Sequence, residues 1–148
     1  MWGQHPTYGA PFIDDKCFIE VAAKSFLPDS KKEQKAIWPN GLDGRDLSKV
    51  AAKHSGLSKM IFLTDLTQGQ YRIVSPTWQV AFELRWDAQQ FPWCWLCERC
   101  SEGGWGDYFL AMEPFTGLPL AIETGKGVMP IAAGKSQTTR FEAAILKI

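Results

Sequence analysis

The chain has 148 residues, enough for one domain that buries its own core without a staple. Sixteen basic residues balance sixteen acidic ones, so the basic surplus that a nucleic acid or anionic membrane partner calls for is missing. No run of about 18 apolar residues is present, and Trp2, Gln4 and His5 break up any leader-like stretch at the start. A cytoplasmic protein with its four cysteines as thiols is therefore expected.

In chain order, His5 opens a turn-rich segment, HPTYGAPF, and Cys17–Ala23 is a weak strand candidate. Residues 28–58 are polar and rich in Lys, Asp, Gly and Ser, and read as a long loop in which only Leu47–His54 has helical character. Met60–Leu66 is an apolar run of strand length. The sequence Thr67-Gln68-Gly69 then reads as a hairpin turn leading into a strand at Gln70–Val74. Gln79–Trp86 alternates with period two: Val80, Phe82, Leu84 and Trp86 share one face, and Ala81, Glu83 and Arg85 the other. Asp107–Glu113, Gly127–Ala132 and Gln137–Ile145 complete the strand candidates, the last two joined around Ala133-Gly134-Lys135. Short strands at regular spacing between Gly/Pro turns predict an all-β antiparallel sandwich over residues 1–148 as a single unit.

Three constellations could carry chemistry. Cys94, Cys97 and Cys100 form C-x2-C-x2-C, with Cys17 as a possible fourth thiolate, and such a set can hold zinc or an iron–sulfur cluster. Yet successive strand residues alternate faces. A straight strand therefore cannot aim all three sulfurs at one ion, and structural thiols with no metal are the expected reading. Gly134-Lys135-Ser136 resembles the end of a phosphate-binding loop, but Met129 stands where the first glycine is needed, so a turn is expected. His54 receives no role.

The third constellation is the aromatic and carboxylate cluster. Seven tryptophans and nine phenylalanines are present, and Trp78, Trp86, Trp93, Trp95 and Trp105 lie close together in the chain, which suits a groove that stacks flat rings. Glu113 ends an apolar strand just before Pro114 and Phe115. A carboxylate there is either an exposed strand end or, if desolvated, a competent general base. Arg85 and Asp87 flank Trp86 and are able to bind hydroxyls or to pair on a surface. His5 reads on its own as a solvated or structural histidine.

Taken in order, HPTYGAPFID, FELRWD, FPWCWL and AMEPFTGLPLAIETG resemble the C-terminal half of the aldose 1-epimerase (galactose mutarotase-like) superfamily, in its bacterial uncharacterised branch, over about His5 to Ala143. The resemblance implies part of a supersandwich of antiparallel sheets. It also implies cofactor-free interconversion of sugar anomers, with Glu113 as the base and His5 as the acid. By the same resemblance Arg85 and Asp87 would hold hydroxyls of a monosaccharide, and Trp93 would offer a stacking face. A domain of that family is roughly twice this length. The resemblance thus implies that strands ahead of His5 are supplied by a second copy or by a partner carrying the N-terminal half. A non-catalytic carbohydrate-binding module and a thiolate metal site remain the competing readings. A sugar-sized gap between His5 and Glu113 separates the first of these from an enzyme.

Overall fold

The computed structural model describes residues 1–31, 33–100 and 108–148. Eight strands fall within them: β1 (Thr7–Gly9), β2 (Phe18–Pro28), β3 (Ala36–Ile37), β4 (Ser58–Ser75), β5 (Val80–Arg85), β6 (Trp93–Cys100), β7 (Tyr108–Phe115) and β8 (Glu142–Lys147). One four-residue helix, α1 (Ala121–Thr124), and a 3₁₀ turn at Asp29–Lys31 are the described helices. The strands are antiparallel and run β1-β7-β6-β4-β2-β3, with β5 added to β4 and β8 to β5. The predicted all-β antiparallel sandwich is the observed class.

Two layers arise from one sheet because β4 is shared. One edge of β4 pairs with β2 along most of its length, while the other is divided: Ser58–Leu63 pairs with β6, and Gln70–Ser75 with β5. At the division the β2 ladder jumps from Val21↔Tyr71 to Ala23↔Leu66, and Asp65 takes a left-handed backbone (φ 52°). A non-glycine residue there needs support, which Ser25 and Lys35 supply by binding its carboxylate. The two branches then face each other. The Tyr8 ring on β1 lies 4.9 Å from Phe82 on β5, and its hydroxyl is 2.6 Å from that of Tyr71. Phe26, Leu63, Ile73, Phe91, Leu96, Leu110 and Met112 fill the space between, all essentially buried.

The hairpin expected at Thr67-Gln68-Gly69 does not exist, since β4 runs through it without reversing. The glycine instead marks a close approach of backbone. Trp86 N–H donates to Gly69 O at 2.8 Å, and a Cβ on Gly69 would stand 2.2 Å from Trp86 O. Gly127–Ala132 forms no strand, and the last strand is shorter than expected at Glu142–Lys147. Gly134 is in a turn, with Lys135 N–H donating to Ala132 O. Trp105 and Asp107 lie outside the described residues.

Leu47–His54 forms no helix. It is pinned across the end of the core by side chains from the sheet. Lys59 and Glu98 face each other across β4 and β6, both nearly inaccessible, with Nζ 3.0 Å from Oε2. The ammonium also donates to Leu47 O (2.8 Å) and Lys49 O (3.1 Å), while Ala51 N–H donates to Glu98 Oε1 (2.9 Å). Those tertiary partners replace the helical hydrogen bonds and draw Leu47 and Val50 into the core. The strand β6 separates the thiols as alternation requires. Cys94 and Cys100 lie on the core face and are buried, Cys97 lies on the other face, and burial pushes the Cys100 thiol up to about 11. Among the described residues no His/Cys/Asp/Glu group is arranged to hold a metal, and no helix is long and apolar enough to cross a membrane.

Two substitutions check these contacts. Gly69→Ala forces backbone against backbone and is expected to lower stability by about 1–3 kcal/mol or more in urea unfolding. Lys59→Met leaves Glu98 charged and unpaired in the interior and is expected to cost about 3–5 kcal/mol. It should also speed amide exchange at Ala51.

Candidate functional site

Residues 2–9 run as a ribbon along the free edge of β7. The bridge Gly3↔Phe115 and the pair Thr7↔Ala111 belong to one register, so that register sets His5 directly opposite Glu113. Trp2, Gln4 and Pro6 provide the ladder bonds to Thr116, Pro114 and Met112, and Pro6 accepts without having to donate. Gly3 is required, because Phe115 carbons lie 2.2–2.6 Å from where its Cβ would be.

Alternation along these strands leaves His5, Thr7, Glu113, Phe115, Trp93 and Trp95 on the face turned away from the core. There His5 Nε2 lies 3.2 Å from Glu113 Oε1, with His5 66% and Glu113 4% exposed at the side chain. Its other nitrogen, Nδ1, is 3.2 Å from Thr7 Oγ1, which orients the ring. Burial raises the Glu113 pKa above the usual carboxylate range, and the positive charge of His5 opposes part of that rise. The carboxylate is thus poised to take and return a proton.

Aromatic groups support it. Trp95 is the cross-strand partner of Glu113 and stacks on Phe115 (4.0 Å between centroids, 21° between planes). Phe62 meets the other side of Trp95 edge-on at 5.3 Å, and Trp95 Nε1–H donates to Gly117 O at 3.0 Å. Trp93, half-buried, pairs across the strands with Phe115 and sits one step along from Glu113.

Of the residues expected from the sequence, the structure brings together His5, Glu113 and the face carrying Trp93. It does not bring Arg85 and Asp87 to them. Arg85 is on β5 in the other branch, where its Nε bonds Glu83 Oε1 at 2.7 Å, and it borders a separate hollow together with Asp87. The alternation that placed Arg85 beside Glu83 was visible in the sequence; the division of β4 that carries this strand away from Glu113 was not. Thr7 was missed as part of the site, while Trp95 and Phe115 were noted in the aromatic cluster and beside Glu113 without their mutual stacking. The register of β7 against β6 and the ribbon is what brings the three together around Glu113.

The comparisons agree with this architecture. The chain matches no family model and no curated protein. Its fold, an antiparallel supersandwich-like sheet pair, is shared with two solved structures. One is the Slr1438 protein from Synechocystis sp. PCC 6803, with a TM-score of 0.71 and 16% identity over 99% of this chain and 44% of that one. The other is a protein from Klebsiella pneumoniae subsp. pneumoniae MGH 78578, described as a "putative aldose 1-epimerase", with a TM-score of 0.73 and 17% identity over 98% of this chain and 38% of that one. Identities this low establish the fold, and this chain spans under half the length of either structure.

The raised Glu113 pKa has a consequence for stability. In the unfolded chain the carboxyl titrates near its ordinary value, lower than in the fold. Between the two values the folded state binds more protons, so stability falls as pH rises through that window. Glu113→Gln is therefore expected to equal or exceed wild type in thermal stability at neutral pH. The difference should shrink toward zero as the pH drops below the ordinary carboxylate value. A variant less stable than wild type at neutral pH would show that the charge is better compensated than its burial indicates.

Proposed function

We propose that the face carrying His5 and Glu113 binds the ring of a free monosaccharide and exchanges its anomers without a cofactor. The observation that carries this reading is the buried carboxylate with raised pKa in direct contact with an oriented histidine. Ionised Glu113 takes the proton of the anomeric hydroxyl, protonated His5 gives one to the ring oxygen, and the bond between the anomeric carbon and that oxygen breaks. The open-chain aldehyde rotates and recloses on either face, the former ring-oxygen hydroxyl returns its proton to His5, and Glu113 returns its proton to the anomeric oxygen. A base and an acid acting on opposite sides of one C–O bond are what the step needs. Trp93 would lie against the sugar ring. The likeness in fold to the Klebsiella structure supports the reading.

One observation favours a second reading, a carbohydrate-binding module without turnover. His5 and Glu113 touch at 3.2 Å, so the expected sugar-sized gap is closed. Catalysis then requires His5 to swing outward, and its exposed position on an edge ribbon leaves it the room.

In either reading we expect a second copy or a partner chain to add to this structure, whose outermost strands β3 and β8 carry the exposed Ile37 and Ile145. A single monomeric species in sedimentation would count against that addition.

The deciding experiment is anomer exchange by NMR on glucose and galactose. Wild type should exceed background, and Glu113→Gln should abolish the excess while sparing sugar binding. His5→Ala should slow exchange by roughly 10²–10⁴-fold. Full activity in Glu113→Gln places the base elsewhere; binding with no exchange in the wild type selects the second reading.

A further inference from the structure

We propose that the hollow where β5 ends and β8 begins is a second carbohydrate site, taking an uncharged polyhydroxylated ring. It does not depend on anomer exchange at Glu113. Arg85 and Glu142 are directly opposite in the β5–β8 ladder, so they share a face. Asp87 follows Arg85 and Arg140 precedes Glu142, and the four charged groups frame a hollow of about 400 Å³ together with Gln90, Thr138 and Thr139. That volume lies within the range of small-molecule sites, roughly 300–1,000 Å³.

The charges define the ligand. Two guanidinium groups and two carboxylates line the same space, so an anion such as a sugar phosphate would meet Asp87 and Glu142, and a cation would meet Arg85 and Arg140. A neutral sugar ring suits both, because each hydroxyl accepts from a guanidinium and donates to a carboxylate. Trp86 also borders the hollow, its indole buried in the core with the N–H donated to Phe91 O at 3.0 Å.

Arg85 and Asp87 are held in advance, whereas Arg140 stands on the surface with its side chain 84% exposed. Glu83, buried beneath, binds Arg85 Nε at 2.7 Å, Arg72 Nε at 2.6 Å and Gln70 Nε2 at 2.8 Å. Arg140 Nη2 is 2.9 Å from Glu142 Oε1, and Asp87 Oδ1 accepts from Gln89 N–H at 2.8 Å. Fixing recognition groups before the ligand arrives lowers the ordering cost of binding. A second, independent observation points to the same place. Thr139 Oγ1 is the one buried side-chain oxygen or nitrogen among the described residues without a hydrogen-bond partner. Buried hydroxyls are normally paired, and a ligand in the hollow that Thr139 borders would give this one a partner after rotation about χ1.

The test is chemical-shift mapping of the isotopically labelled chain titrated with D-galactose, D-glucose or glucose 6-phosphate, for wild type, Glu113→Gln, Thr139→Val and Arg140→Ala. Neutral sugar should give saturable shifts at the amides of Gln90, Thr138, Thr139 and Arg140, and these should persist in Glu113→Gln. Thr139→Val keeps the side-chain shape and removes an unpaired hydroxyl, so the fold is retained, and affinity at these amides should fall roughly three- to tenfold. Arg140→Ala should weaken binding at least as much. No response at these amides up to the solubility limit of the sugar, or shifts confined to the surroundings of His5, overturns the proposal. Tighter binding of glucose 6-phosphate than of glucose overturns the neutral ligand class. Exchange lost in Glu113→Gln with no response here would leave the proposed epimerase standing and remove this site; the converse would do the reverse.

Discussion

The structure depends on how β4 divides its hydrogen bonds. A strand has two edges, and one edge of β4 is given to β2 while the other is split between β6 and β5. The split coincides with the ladder jump opposite Ala23 and with the left-handed Asp65. Interruption of a ladder lets a strand bend and increases local twist. Bending here turns one sheet into two facing branches and creates the interior that Tyr71, Phe82 and Tyr8 share. Both candidate sites inherit their separation from that division, since Glu113 lies on the branch built from β6 and β7 and Arg85 on the branch built from β5 and β8.

Much of the fold was legible because period-two alternation reports locally which residues share a face. The β5 alternation keeps Phe82 and Leu84 on one face and Glu83 and Arg85 on the other. The facing argument that separated Cys97 from Cys94 and Cys100 holds in β6 for the same reason. Burial in β5 does not follow the alternation: Ala81 and Glu83 are buried and Phe82 only half-buried, because Arg72, Arg85 and Gln70 pair with Glu83 beneath solvent. What failed were the places where a tertiary partner overrides a local signal. Gly69 looks like a turn because glycine permits turns, yet its use is to let the Trp86 backbone pass. The Leu47–His54 stretch has helical residues, but Lys59 and Glu98 capture its backbone groups first.

The site was legible in a different way. Neither alternation nor spacing links His5 to Glu113 across so much intervening chain; the expectation came from motif resemblance, and the ribbon register sets the two side chains in contact. Resemblance also grouped Arg85 and Asp87 with that pair, which the branching of the sheet does not support. The aromatic support of Glu113 stayed hidden because Trp95 and Phe115 are diagonal neighbours only once β6 and β7 are paired.

The ribbon bearing His5 is the outermost strand of its branch, and its backbone ladder runs to β7 alone, with Trp2 and Tyr8 reaching inward as side-chain anchors. Elements held along one edge open at lower free energy than the core they lie on. Each opening removes His5 from Glu113 but also admits water to the carboxylate, and since burial is the larger cause of its raised pKa, the carboxyl then gives up its proton more readily. The relation is reciprocal: whatever favours the protonated carboxyl also favours a docked ribbon. Ribbon docking and carboxylate charge are thus two readings of one equilibrium, and anything that pairs with the free edge of residues 2–9 acts on the proton affinity of a residue it never touches.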